Sequence, residues 1–217
     1  MSEKVEFMIG VKELQVALDA VMPHLSKGKV TPILTGARLR LEDGTLTLVG
    51  TDRYTAAIYR FKKKVEAKDF GIVIPAQILK QVAGIKTKLR EAVPSLIRVE
   101  ISGEPLGDNI RFDYVPTDGT GDQSFSSGLI SGSYPPVENL FPAGFKEIMV
   151  GVFSLRVEHL QKLAAFEKKH IGYRTFAKFG EFRFNFTGEG KSPIYAVTEG
   201  ATGVLRIIIQ PSFVENT

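Results

Sequence analysis

Lys80, Lys86, Lys88 and Arg90 stand on one apolar-periodic segment, Gln77 to Arg90, that contains no acid. A second such segment, Ser154 to His170, carries Arg156, Lys162, Lys168 and Lys169 against Glu158 and Glu167, with Arg174 just beyond. Positive charge spread along a helix face meets phosphates without reading bases. On a helical wheel Lys80, Lys88 and Arg90 fall broadly opposite Val82, Ile85 and Leu89. An ordinary solvated face has the same pattern, and the residues alone leave both readings open.

Other chemistry has little to stand on. Asp108, Asp113, Asp118 and Asp122 cluster around a Gly-rich stretch. Such a cluster either binds a divalent cation or is a solvated loop. His24, His159 and His170 do not have metal-ligand spacing. No Walker loop, G-x-G-x-x-G, nucleophile elbow or H-E-x-x-H occurs. The absence of Cys excludes disulfides and thiolate sites. These points imply no catalytic residues, no metal, no cofactor and no enzyme. Tyr134-Pro135-Pro136 has the form of a proline-rich recognition motif, but a structural linker accounts for it. Asn185-Phe186-Thr187 is a sequon in form only.

The elements that must position these residues recur. Val5, Phe7 and Ile9 alternate as a strand, and Val11, Leu14, Leu18, Val21 and Leu25 share a helix face. Asp43-Gly44 between two alternating runs predicts a hairpin, and Thr55 to Phe61 one more strand. The second stretch repeats this. It has a strand over 70–74, a helix from Pro75, strands over 97–101 and 110–115, and a polar loop leading to a short strand. Residues 134–145 hold three prolines and read as an extended linker. A third stretch follows: a strand over 148–153, Ser154 as N-cap, a helix to about His170, and strands ending near Ile209. The expectation is three β-α-β-β-β units in an α+β fold. Residues 1–133 hold two of them, 134–145 the linker and 146–217 the third.

The chain has 217 residues, 43% of them hydrophobic, and a net charge of +4, so a globular core is expected and nucleic acid is permitted as a partner. No apolar run approaches the roughly 18 residues that span a bilayer. The charged N-terminus lacks a signal core, so a cytoplasmic protein without membrane contact is expected.

Four motifs, in order along the chain, carry a resemblance. They are Thr31-Pro32-Ile33-Leu34-Thr35-Gly36 leading to Val49-Gly50-Thr51-Asp52; Ile72-Val73-Ile74-Pro75; Gly132-Ser133-Tyr134-Pro135-Pro136-Val137; and Ile207-Ile208-Ile209-Gln210-Pro211. Together they resemble the bacterial DNA sliding clamp, the β subunit of the replicative polymerase, in a shortened, phage-type form. In that family the first motif is a strand that opens a hairpin. The resemblance implies a DNA-clamp fold, with helices lining and sheets walling a ring. It implies sequence-independent binding of duplex DNA, which adds Lys27 and Lys29, in a loop like one that meets DNA, to the basic set. It also implies a pocket that takes a short linear peptide from the DNA polymerase and the clamp loader. The matching positions are Thr31, Leu34, Thr51, Tyr54, Ala56, Pro135, Leu140, Gln210 and Ser212. Family members are more apolar at Ala56, Gln210 and Ser212. Where the family ring has twelve halves, three to a chain gives a tetramer. A clamp-like decoy that binds partners without encircling DNA is one alternative. A nucleic-acid enzyme acting through the 108–122 loop is another.

Overall fold

The computed structural model describes residues 4–28, 30–86, 95–103, 108–114, 116, 122–141, 157–170, 183–186, 193–199 and 202–210, with the backbone alone given for 157, 167–170 and 183–186. The chain opens with strand β1 (Lys4–Gly10), helix α1 (Val11–Val21) and strands β2 (Gly36–Glu42), β3 (Thr45–Thr51) and β4 (Thr55–Lys64). It continues with β5 (Phe70–Pro75), α2 (Ala76–Ala83), β6 (Leu96–Ser102), β7 (Asn109–Tyr114) and β8 (Gln123–Gly128). After the linker come α3 (Val157–His170), β9 (Arg183–Phe186), β10 (Ile194–Glu199) and β11 (Gly203–Ile209). The expected strand over 148–153 lies outside the described residues.

Local chemistry explains each turn. Asp43 and Gly44 both take positive φ, 48° and 71°, which is the twist a two-residue hairpin requires. At the β3–β4 corner the Asp52 carboxylate accepts the backbone N–H of Tyr54 at 3.0 Å and of Thr55 at 2.7 Å. That Asx-type turn carries Arg53 at φ 78°. α2 stops at Ala83 rather than running to Arg90. The N–H of Gly84 bonds back to Lys80 and Gln81, and the Gln15 amide of α1 reaches the Ile85 carbonyl at 2.7 Å. Pro32–Thr35 forms a 3₁₀ turn instead of a strand, because proline presets the first helical φ; β2 begins only at Gly36.

The described strands form two sheets. One is ordered β1-β6-β7-β8, the other β5-β2-β3-β4-β11-β10-β9. The first strand of each of the opening units is therefore exchanged. β1 pairs along its length with β6, Phe7 opposite Val99, while β5 pairs with β2, Ile74 opposite Ala37. β11 then joins β4 antiparallel, Ile208 opposite Ala56, so the third unit extends the sheet of the first edge to edge.

One continuous core fills the helix side of both sheets. Leu14, Leu18 and Val21 of α1, Ile78, Leu79 and Val82 of α2, and Leu163 and Phe166 of α3 bury against alternate strand residues such as Leu39, Leu48, Val99, Phe112 and Ile207. Each fully buried aliphatic or aromatic side chain contributes about 1.5–3 kcal/mol. A second, smaller cluster lies on the other face of the seven-stranded sheet. There Val137, with Tyr134 and Phe141, covers Val49, Ala56, Ile58, Tyr195 and Ile208.

Candidate functional site

Several of the positions expected to form a peptide pocket meet where the β3–β4 corner joins the end of β11. The Arg53 guanidinium donates to the Thr31 hydroxyl at 2.9 Å, and the Gln210 N–H donates to the Tyr54 carbonyl at 2.9 Å. The Thr51 hydroxyl donates to the Thr55 carbonyl at 2.9 Å. From the linker, the Leu140 carbonyl accepts the Tyr195 hydroxyl at 2.9 Å, and Phe141 lies 6.0 Å from the Tyr195 ring. Tyr54 (65% exposed) and Leu140 (55% exposed) are large apolar groups left facing solvent, as is Val30 at 87%. Exposed apolar groups of this size mark binding surfaces when they cluster. Pro135 is also exposed. Leu34, Thr51 and Ala56 are buried and offer little surface for contact. Ser212 lies outside the described residues.

Beneath that corner sits a polar bridge. Lys162 of α3 donates to Asp52 at 2.8 Å and to the Thr55 hydroxyl at 2.9 Å. The Thr55 hydroxyl donates its own proton to Asp52 at 3.0 Å, and His24 Nδ1 lies 2.9 Å from the Thr55 Oγ1. A hydroxyl has one proton and two lone pairs. Its two remaining partners must both donate, which places a proton on His24 Nδ1. Burial and the Lys162 charge hold the His24 pKa down to about 3. Burial pushes the Asp52 carboxyl up, but the hydrogen bonds from Lys162 and Thr55 outweigh it and leave the pKa below the ordinary carboxylate value. His159, also buried, lies close enough to depress the His24 pKa further. Sequence reasoning missed this bridge because its members are spread from position 24 to position 162. Lys162, assigned above to the DNA-facing set, is turned inward and paired, since an unpaired ammonium at that depth would be costly to desolvate.

The remaining cations divide as follows. Lys80 is exposed on α2, Lys27 is exposed beyond the turn at Met22–His24, and Lys86 is exposed but sits past the end of α2. Lys168 and Lys169 lie on α3 by backbone. Lys29, Lys88, Arg90, Arg156 and Arg174 lie outside the described residues.

The acidic-loop candidate loses a central member. Asp113 is bound by Arg98 at 2.9 Å and Arg111 at 2.8 Å. Burial acts to raise its pKa, but hydrogen bonds from Arg111, Arg98 and Ser124 bring it down to about 2. A carboxylate held this way is a structural ion-pair member. Among the described residues no group of three or more His, Asp or Glu is placed to hold a metal ion, and no helix is long and apolar enough to cross a membrane.

Comparison with known proteins bears on the family and the fold. The chain is 28% identical over 160 residues to the beta sliding clamp of Streptomyces coelicolor, covering 73% of this chain and 40% of that protein. It is 29% identical over 128 residues to the beta sliding clamp of Micrococcus luteus, covering 58% of this chain and 37% of that protein. The chain thus spans about two fifths of the length of these relatives. In fold it matches the DNA polymerase sliding clamp of Pseudomonas aeruginosa with a TM-score of 0.74 at 15% identity, over 97% of this chain and 67% of that one. The beta subunit of DNA polymerase III from Thermotoga maritima gives 0.70 at 14% identity, over 97% and 66%. The family model for the central domain of the DNA polymerase III beta subunit matches residues 8–136, more than half of the sequence, and the chain belongs to that family.

Proposed function

We propose that this protein is a DNA sliding clamp, a non-enzymatic cytoplasmic ring subunit that encircles duplex DNA and tethers a polymerase for processive synthesis. The observation that carries this reading is the β4–β11 seam. It makes one seven-stranded wall with strands from all three units, while α1, α2 and α3 stay on the opposite face. A wall that grows edge to edge can continue around a ring, and its helix side then faces the DNA. Residence would come from linkage rather than tight local contact. Lys27, Lys80 and Lys86 supply diffuse, salt-screened attraction to phosphates, joined by the basic positions outside the described residues. Residues 1–133 would act as one clamp domain, 134–145 as linker and 146–217 as a half-size unit.

Polymerase and clamp loader would dock through a short peptide at the corner framed by Thr31, Tyr54, Leu140 and Gln210, with Leu34, Thr51 and Ala56 buried. With three units to a chain, four chains complete a ring of twelve. Light scattering across a range of concentrations tests this. A discrete closed oligomer, a tetramer of the 23.9 kDa chain, is expected. A strict monomer at every concentration would remove encirclement and leave a clamp-like decoy. Leu140→Asp and Tyr54→Ala should each weaken capture of a polymerase tail peptide without altering the melting temperature.

A further inference from the structure

We infer that the outer face of the seven-stranded sheet carries a separate docking groove, built across the β4–β11 seam, for an acidic peptide segment of a partner protein that places an apolar residue beside its carboxylate. The register sets the geometry. Arg60 stands opposite Val204, and Ile58 opposite Arg206. Arg60 and Arg206 are therefore diagonal neighbours on one face, about 7–8 Å apart at the backbone. All four line a single groove of about 300 Å³, walled on the linker side by Glu138 and Phe141.

The two arginines differ from the ion-paired cations of this face. Arg38 pairs with Glu138 at 3.4 Å, Arg40 with Glu138 at 3.9 Å and with Glu42, and Lys62 with Glu199 at 2.6 Å. Among the described residues neither Arg60 nor Arg206 has an ion-pair partner. Two like charges on neighbouring strands repel each other through the groove between them. A carboxylate between them would relieve that repulsion through charge-assisted, bidentate bonds.

The protein displays the fitting ligand itself. Its own linker lies on this sheet with Val137 buried at 2% exposure and the adjacent Glu138 carboxylate on Arg38 and Arg40. The apolar floor of Ile58 and Val204 beside the unpaired arginines repeats that pairing of an acid with an apolar neighbour. Nucleic acid fits poorly. The groove is lined by as many acids (Glu42, Asp43, Glu138) as arginines (Arg40, Arg60, Arg206), which repels a polyanion but accepts one carboxylate. Because Arg60 belongs to the first unit, Arg206 to the third and Phe141 to the linker, the groove exists only when all three are assembled.

The probe is a fluorescein-labelled eight-residue peptide of serine and glycine carrying one central glutamate–leucine pair, titrated against the full chain by anisotropy. Its lysine–leucine counterpart serves as the control. Binding of the acidic probe alone is expected. Arg60→Gln and Arg206→Gln should each weaken it about tenfold, as loss of a charged hydrogen bond does. Arg60→Lys should restore part of the affinity, and Arg111→Gln on the other sheet should change nothing. Failure of the unmodified chain to bind the probe overturns the proposal, as does undiminished binding by the double variant with an unchanged melting temperature. An equal loss of affinity for a short DNA duplex in the double variant also overturns it, in favour of a phosphate site.

Discussion

The Lys162 ammonium and the Asp52 carboxylate, 2.8 Å apart, join helix α3 to the corner between β3 and β4. Both side chains are about one-fifth exposed, so the pair is shielded but not sealed. Removing one partner leaves the other charge poorly solvated. Lys162→Met should therefore destabilise the protein by about 1–3 kcal/mol, less than a sealed pair would cost. Urea denaturation measures it, and proteolysis of 157–209 should quicken first.

Acid should loosen the same joint. The His24 pKa is depressed to about 3, so the folded protein excludes a proton that the unfolded chain binds below its ordinary value of 6.5. The contribution is fully present above 6.5 and falls away as pH drops toward 3, by at most about 1.4 kcal/mol per pH unit. Asp52, with its lowered pKa, weakens stability in the same direction at the acid end. Melting temperatures across this range should decline with pH, and His24→Asn should flatten the slope between pH 6.5 and 4.

Gly203 should tolerate no side chain. A Cβ there would lie 2.5 Å from a Tyr59 ring carbon and 2.6 Å from the Arg60 carbonyl. Gly203→Ala should destabilise by about 1–3 kcal/mol through overpacking at the β4–β11 seam. In a chain of this size that lowers the melting temperature by roughly 2–4 °C per kcal/mol.

Charge reversal on the helix side should act on DNA binding without specificity. Lys80→Glu and Lys27→Glu should each lower affinity for any duplex and reduce the salt slope by about one counterion per contact. Unequal effects on two unrelated duplex sequences would argue against a sliding interface.

The alternation of Leu39 with Leu41, Leu46 with Leu48, and Ile97 with Val99 and Ile101 places those strands from sequence, and the apolar face of α1 is equally legible. Pairing is not. Val5, Phe7 and Ile9 alternate identically whether they lie beside their own unit or the next, because period two reports which face is buried and not which strand is the neighbour. The C-terminal end of α2 is marked by contacts from a distant residue, Gln15, to the Ala83 and Ile85 carbonyls. Charge misled at Lys162, where a cation on a basic helix is matched by an acid 110 positions away. The corner around Tyr54 could be located by resemblance to a family. That Leu34 and Ala56 are buried while Tyr54 and Leu140 face solvent follows only from the three-dimensional packing.

The exchange of β1 and β5 also bears on how the chain is made. As synthesis proceeds, β1 emerges early, yet its partner β6 begins only at Leu96. Until then the opening unit holds a bare ribbon of backbone N–H and C=O groups, and β2 waits likewise for β5. Neither unit can mature on the ribosome before the other. Folding of residues 4–128 should be a single late event, and cutting the gene between Lys64 and Phe70 should yield two sticky fragments rather than two working pieces.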